Sequence, residues 1–331
     1  MKSTQPRRSK IVWLMLAACL SASVSSLSNA QSGTYPTKPV KVVVAFTSGG
    51  TTDLLARQVA QHLSDKLKQN FLIENKPGAG GNIGTEAVVR SAPDGYTLIV
   101  NSVGPIAVNG TLYGKLNYNP LTDLVPIVQI ADVPNVLVVP TSLPVKTMEE
   151  FLAYAKANAG KLNYGSTGVG TSSHLSSFML AKRVGLEATH VPYKGADALQ
   201  DLMAGRIQFM FATIPSVMTQ IKAGKLRAIA VSSLKRSRAL PEVVTVAEKG
   251  FAGFEAGSWF GFFAPKGTPE SVISLLNKSV NEVLQLNGVE AQMISQGADP
   301  VGGSAVQFSQ FIQREFEKWR AVVRESGATA E

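Results

Sequence analysis

Cysteine is almost missing from this chain. Of 331 residues only Cys19 carries a thiol, and it lies in an N-terminal stretch with the layout of an export signal. A product cut after Ala30 therefore has no disulfide and no Cys-ligated metal. Histidine is nearly as scarce: His62, His174 and His190 are widely separated, with no acidic residues around them at metal-ligand spacing, so no metal site is expected. No nucleophile, base and orienting group form a set, which argues against an exported hydrolase; no catalytic residue and no cofactor are assigned. Beyond Ala30 no apolar run is long enough to span a bilayer, and no charge run or low-complexity block interrupts the chain. A soluble mature protein is expected.

The N-terminus begins with Lys2, Arg7, Arg8 and Lys10, followed by an apolar stretch over residues 11–20 and by Ser28-Asn29-Ala30, small residues suited to cleavage. This is the pattern of a signal peptide over residues 1–30, too short for a permanent anchor. Leu16-Ala17-Ala18-Cys19 also fits lipoprotein processing at Cys19, the minority alternative, and Arg7-Arg8 is a poor match to the twin-arginine route. The segment holds four basic and no acidic residues, so its removal lowers the formal charge from +9 to +5, by 9 − 4. Most of the support for a nucleic-acid partner goes with it. The remaining chain is long and apolar enough for two lobes of roughly 100 to 150 residues each.

An apolar strand candidate at residues 40–46 leads into Thr47-Ser48-Gly49-Gly50-Thr51-Thr52-Asp53 and then into Leu55, Val59, Leu63 and Leu67 at helical spacing. The unit recurs: residues 162–165 lead through Ser166-Thr167-Gly168-Val169-Gly170-Thr171-Ser172 into Leu175, Phe178 and Met179. Further strands are expected at residues 71–73, 97–100, 136–139, 189–191, 207–211, 228–231 and 260–263, with helices between most of them. Thr147 with Glu150 reads as a capping box, Thr268-Pro269 opens a helix through Val272, Leu276 and Val280, and a last amphipathic helix carries Phe308, Phe311, Ile312, Phe316 and Trp319. The alternation predicts α/β lobes with largely parallel sheets.

The two small-residue loops carry the chemistry. Small residues let a ligand approach the backbone, and the first turn of the following helix leaves amide N–H groups free at the positive end of its dipole, a ready anion site. Thr47, Ser48, Thr51 and Thr52 in one loop, and Ser166, Thr167, Thr171 and Ser172 in the other, add hydroxyl donors, so no arginine is needed. The plainer alternative is that Thr52, Asp53 and Thr171 only cap helices while the glycines turn the chain. Neither loop has a phosphate-loop ending, a dinucleotide fingerprint or a nucleophile elbow. His174, one turn past the second loop, fits a supporting or capping role better than catalysis.

The mature sequence resembles the Bug family, the periplasmic substrate-binding proteins of tripartite tricarboxylate transporters. The resemblance is carried by Tyr35-Pro36-Thr37-Lys38-Pro39, Gly49-Gly50-Thr51-Thr52-Asp53 with Ala56-Arg57, Glu74-Asn75-Lys76-Pro77-Gly78-Ala79-Gly80-Gly81 and Pro93-Asp94-Gly95-Tyr96-Thr97-Leu98. Asn163-Tyr164-Gly165-Ser166, His190-Val191-Pro192-Tyr193-Lys194-Gly195, Lys225-Leu226-Arg227-Ala228 and Ser258-Trp259-Phe260-Gly261 follow in family order. It implies a two-lobed, type II periplasmic-binding-protein (Venus-flytrap) architecture with mostly parallel sheets in each lobe. Residues 31–132 would form lobe 1, 133–254 lobe 2, and 255–331 a return to lobe 1 with C-terminal helices.

By position, the resemblance implies ligand contacts from Phe46, Thr47, Ser48, Gly49, Thr51 and Asp53 in the first lobe, and from Ser166, Thr167, Gly168, Gly170, Thr171 and Ser172 in the second. Ser102 and Val103, with Gly195 and Ala196, would close the sides, and Thr213 would lie near the floor. The implied ligand is a small organic carboxylate: a di- or tricarboxylate, or an aromatic acid such as a phthalate-type dicarboxylate. The implied partners are transporter membrane subunits or, alternatively, a sensor kinase, with a monomeric receptor in the periplasm. Ser48 and Ala212 depart from the family pattern; many relatives have proline or alanine at the first position and an acidic residue at the second. The lack of an acid at Ala212 argues against an amino-acid ligand, and Phe46, Trp259 and Phe260 are read as core or hinge packing ahead of ligand contact.

Overall fold

A computed structural model describes Met1 and residues 35–194 and 197–330. The expected signal peptide, Cys19, and the expected contacts Gly195 and Ala196 lie outside the described residues. Residues Met1–Thr37 form a unit of their own, and all elements below belong to the second unit, Lys38–Glu331.

The strands are β1 (Val40–Val44), β2 (Phe71–Asn75), β3 (Thr97–Ser102), β4 (Leu124–Pro140), β5 (Leu162–Ser166), β6 (Ala188–Pro192), β7 (Met210–Thr213), β8 (Leu226–Val231), β9 (Gly257–Pro265) and β10 (Asp299–Gly302). The α-helices are α1 (Thr51–Leu67), α2 (Asn82–Val89), α3 (Asn109–Leu112), α4 (Met148–Ala157), α5 (Ser172–Val184), α6 (Ala198–Met203), α7 (Ile214–Lys222), α8 (Glu270–Leu284), α9 (Asn287–Ser295) and α10 (Ala305–Ser326). No helix among the described residues is long and apolar enough to cross a membrane.

One group of strands runs β10-β4-β9-β3-β1-β2. β2, β1 and β3 are parallel, β9 is antiparallel to β3, and β4 is antiparallel to β9, so four of these six strands share a direction. The second group hangs on the far half of β4, where β7 and β8 pair antiparallel to it. A parallel bridge from Tyr164 to Phe209 and the parallel pair β5-β6 extend that group in the direction of β7. The strands within each group are therefore mostly parallel, crossed by a return strand, as the alternating pattern predicts.

β4 is far longer than the run at residues 136–139 suggests. Gln129, Asp132 and Asn135, with Pro126 and Pro134, break its apolar alternation, so the sequence conceals its first half. Pairing to β9 extends from Leu124 to Pro134, and pairing to β7 and β8 begins at Asn135 and Val136. Proline has no N–H for a ladder, so a change of partner beside Pro134 breaks no hydrogen bond that the strand could make.

The change of partner is held by a buried polar knot. The Asn135 amide group donates to Ser176 Oγ at 2.8 Å and to the Ala256 carbonyl at 3.4 Å, and its Oδ1 accepts from Ser172 Oγ at 3.4 Å. The Asn135 backbone N–H donates to Ser232 Oγ at 2.9 Å, and that hydroxyl donates in turn to the Ala256 carbonyl. Asn135, Ser176 and Ser232 are fully buried.

Around this frame the periodic apolar stripes pack as expected. Leu55, Val59 and Leu63 of α1 face inward, and Phe308, Ile312 and Trp319 of α10 are almost completely buried. Trp259 belongs to this packing: it meets Phe308 and Phe311 edge-on, and its indole N–H joins that of Trp319 on Glu315. Two expected caps differ in detail. Thr147 accepts from the Glu150 N–H, but the Glu150 carboxylate turns to the Lys146 N–H in place of the cap's own. Thr268 donates to the Pro265 carbonyl and leaves the start of α8 to Pro269.

Replacing Asn135 by alanine strands the buried hydroxyls and carbonyl it serves. Asn135→Ala is expected to lower the free energy of unfolding by about 2–4 kcal/mol, read from urea denaturation; a loss under about 0.5 kcal/mol would show that the knot is not what holds the crossing.

Candidate functional site

The first loop is shaped from beneath by Asp53. Its carboxylate accepts from the Gly49 N–H at 3.0 Å, Ser48 Oγ at 3.2 Å, Arg57 Nε at 2.9 Å and Asn75 Nδ2 at 2.9 Å, and Asn75 also donates to the Phe46 carbonyl. Burial raises the Asp53 pKa, but the hydrogen bonds from Arg57, Gly49 and Asn75 outweigh it and hold the carboxyl below its ordinary value. Asp53 is thus an internal anchor that bends the loop over the start of α1, and Ser48 and Arg57 are occupied by it. Gly49, at φ +83°, makes the turn that brings its N–H to that carboxylate. No side chain caps α1, so the amides of Thr51 and Thr52 in its first turn have neither an intrahelical nor a capping partner.

The second loop is built from the sheet outward. Ser166, at the end of β5, shares a 2.7 Å hydrogen bond with His190 Nε2 and donates to the Gly168 carbonyl at 3.2 Å. Thr171 caps α5, accepting from the His174 N–H and donating to the Gly168 carbonyl at 2.7 Å. Gly170 is at φ +80°, and a Cβ there would come within 2.6 Å of Asn109 Oδ1 and 2.5 Å of Leu112 Cδ2. Only glycine fits.

Both histidines support this loop. Their rings stack with centroids 4.0 Å apart, Tyr164 stacks on the far face of His190, and His174 Nδ1 accepts from the Gly170 N–H at 3.3 Å. Burial drives His174 down to about 4; burial and then the neighbouring His174 drive His190 down to about 3. Both are neutral at physiological pH, and the supporting role expected of His174 is the one it has.

The loops meet at a cavity with about 590 Å3 of space between atoms, partly open to solvent. Of the expected residues, Phe46, Thr47, Thr51, Ser102, Thr167, Thr171, Ser172 and Thr213 line it. Ser48, Gly49, Asp53, Ser166, Gly168 and Gly170 shape the two loops without lining the cavity, and Val103 is buried in the core. Ala212 is likewise buried beside Val136 and Ile214 and is not among the lining residues.

Four lining side chains escape the sequence reading of the site, Leu199, Met210, Ser216 and Ser258, while Thr52, read as a loop hydroxyl donor or cap, and Phe260, read as packing ahead of ligand contact, line it too. Phe260 turns toward the cavity while Trp259 turns into the core, the alternation a strand imposes. Pro215 and Ser216 after Thr213 carry the one overlooked signal, a helix start: α7 opens there, the third helix N-terminus at this cavity.

No charged side chain is among the lining residues. The hydroxyls and the starts of α1, α5 and α7 supply donors only, an environment that favours a small anion. A second groove, between β4, β9 and α10, has the opposite character, with Asp132, Glu255, Asp299 and Glu315 against one lysine, Lys318. Across the neutral cavity, Thr51 Oγ1 and Thr213 Oγ1 meet at 2.7 Å, a direct bond between the two groups of strands and helices.

The imidazole pair makes the second loop sensitive to acid. Histidines held neutral in the fold but free to charge when unfolded stabilise fully above pH 6.5, and the stabilisation is lost as pH falls through their folded values. The melting temperature should therefore fall progressively from pH 6.5 toward 4, and His190→Gln should flatten that slope; an identical slope in the variant would remove the pair as the cause.

Comparison with known proteins gives the site its context. Residues 55–328 match the model of the tripartite tricarboxylate transporter family receptor. Protein BugT of Bordetella pertussis is 40% identical over 297 residues, spanning 89% of this chain and 91% of that one. Rpa4515 of R. palustris, solved with adipate, superposes with a TM-score of 0.87 at 38% identity, over 89% of this chain and 99% of its own. MatC from Rhodopseudomonas palustris, solved with bound malate, has a TM-score of 0.83 at 33% identity, over 87% of this chain and 100% of its own. The chain belongs to the tripartite tricarboxylate transporter receptor family, the Bug solute-binding proteins, and has their mixed α/β two-domain fold.

Proposed function

We propose that this protein is an exported, non-catalytic receptor that captures a small organic carboxylate between two lobes and delivers it to the membrane subunits of a tripartite tricarboxylate transporter. One observation carries the reading: a charge-free cavity ringed by hydroxyls, onto which helices α1 and α5 open their N-termini from opposite loops. Fixed N–H and O–H dipoles hold a carboxylate without a salt bridge. The adipate and malate in the two similar proteins support the same class of ligand.

The lobes are proposed to divide where β4 changes partner beside Pro134 and where the chain enters β9 at Gly257. Lobe 2 then lies between these crossings, and the C-terminal segment returns to lobe 1, since β10 pairs with the first half of β4. Capture is a closure about these two strands. The Thr51–Thr213 bond joins the two proposed lobes, so this hydroxyl pair would favour closure alongside the anion. Phe46 and Phe260 beside Leu199 and Met210 give the cavity an apolar wall, which suits an aliphatic or aromatic backbone between carboxylates.

A ligand of the native state alone raises its melting temperature by mass action. In a thermal-shift screen, at least one di-, tri- or aromatic carboxylate is expected to raise Tm by several degrees at a hundredfold excess over Kd, equivalent to about 2.7 kcal/mol; a sugar or cation moving Tm while every carboxylate leaves it still would overturn the proposal. Thr167→Val removes a lining hydroxyl that bonds to nothing else among the described residues and should weaken binding of the active acid about ten- to hundredfold by calorimetry, the loss of one hydrogen bond to a charged group. Ser48→Ala, whose hydroxyl faces Asp53, should change it less than threefold. The reverse order of the two variants would contradict the clamp.

A further inference from the structure

Gly104 has no reason of its own to be glycine. It is buried at the start of the helical turn Gly104–Val108 after β3, and its φ lies outside the left-handed region, so its backbone suits any L residue. What a side chain there would meet lies largely across the cleft. A Cβ on Gly104 would stand 3.4 Å from the Gly170 carbonyl oxygen and 3.9 Å from Thr171 Cα, both in the second loop, with the Gly80 carbonyl oxygen of its own side also at 3.9 Å. Gly80 approaches the same loop: its Cβ would come within 2.8 Å of the Val169 carbonyl oxygen and of Tyr113 Oη. At a separate place, a Cβ on Gly297, just before β10, would come within 2.6 Å of Ile214 Cβ at the start of α7. Resting on the two-lobed receptor reading, we infer that these glycines are stops on which the lobes land, and that Gly104 meeting Gly170 limits how far the cavity closes.

Each contact adjoins the cavity. Gly170 precedes Thr171, Gly104 lies two residues after Ser102, and Ile214 follows Thr213; Thr171, Ser102 and Thr213 all line the cavity. In each pairing at least one side is bare main chain. Close-packed main chain has no rotamer to change, so the approach ends at a fixed distance where a side chain would yield. The height of the closed cavity is then set by the protein's own backbone, and an acid too bulky for it binds only with the lobes held short of their stops.

Asn109 marks this contact as one that parts. Its amide nitrogen donates to the Gly80 carbonyl at 3.1 Å and to Asn82 Oδ1 at 2.6 Å, which ties the Gly80 loop to α3. Its Oδ1 has no hydrogen-bond partner although the residue is fully buried, and Gly170 of the second loop lies against it. A buried acceptor left unpaired is costly, and water restores its hydrogen bond once Gly170 lifts away. The seam therefore carries a cost in the closed arrangement that it lacks in the open one. It halts the lobes without clasping them, and the attraction comes from the Thr51–Thr213 bond and the bound anion.

The first test needs no ligand. The chain beyond Ala30 has no cysteine, so in a Gly104→Cys, Thr171→Cys double variant the two thiols can pair only with each other, across a gap short enough for a disulfide. Oxidation is expected to form the cross-link and to give a smaller radius of gyration in X-ray scattering than the reduced protein has. No cross-link, or a cross-link that leaves the radius unchanged, overturns the stop, because the contact is then never reached or never released. The second test titrates adipate, malate and phthalate by calorimetry. Gly104→Ala, whose methyl group meets the second loop at ordinary contact distance, should change binding less than about threefold, and Gly104→Val should weaken it about tenfold or more, the scale of an overpacked contact. The ligand-free melting temperature should stay unchanged in both. Wild-type affinity in Gly104→Val overturns the stop, and so does a ligand-free melting temperature several degrees lower, which places the clash inside one lobe. Binding of none of the three acids by the wild type counts against the carboxylate reading, and the cross-link still decides the stop.

Discussion

The fold depends on one buried amide. Asn135 occupies the point where β4 leaves β9 and begins to serve β7 and β8, and its side chain is tied to the start and second turn of α5 and to the carbonyl of Ala256, just before β9. Three chain segments far apart in sequence are thereby held at one spot. Through Ser172 the same amide reaches the first residue of α5, which lines the cavity. The place where the strand groups join and the place where the second loop presents its donors are thus one hydrogen-bonded unit, and buried networks of this kind hold their geometry because each member left unpaired is costly.

The cavity owes its character to the removal of charge. The carboxylate and the guanidinium of the first loop and its helix, Asp53 and Arg57, bond to each other and are not among the lining residues. Both histidines are kept neutral by burial, with His174 adding to the effect on His190. What remains facing the cavity is a set of hydroxyls and backbone dipoles, all oriented before any ligand arrives. Such an environment binds an anion without the desolvation cost of a buried cation, and it leaves discrimination between anions to the spacing of donors and the shape of the apolar wall. The acidic groove beside the start of β9, which shares Ser258 with the cavity, has the opposite character.

Much of this was legible from the letters. The small-residue loops followed by helical stripes located both helix starts, and Thr171 read as a cap because Ser and Thr accept from the third residue of a helix. Ser258 and Phe260 were harder: beside Trp259 they read as one aromatic strand, and only pairing to β3 shows which face each residue takes. Leu199 and Met210 could not be found at all, because apolar residues on a short helix and a short strand carry no sign of facing a cavity in place of a core. The partners of Asp53 were hidden for a related reason. A carboxylate in a loop of hydroxyls gives no sign in the letters that its four donors come from its own loop, α1 and β2.

The sequence by itself determined the α/β alternation, the pair of donor-rich loops, the scarcity of thiol and imidazole chemistry, and the family to which the chain belongs. These are local or compositional properties, written in spacing and residue type. Tertiary structure alone decided that β4 is a shared strand, that Ser48 and Asp53 bond within the first loop while Ser216 and Ser258 line the cavity, and that Thr51 meets Thr213 across it. The physical reason is that each of these depends on which strand lies beside which. Register and facing are set by the summed packing of segments more than a hundred residues apart, and no local pattern encodes them.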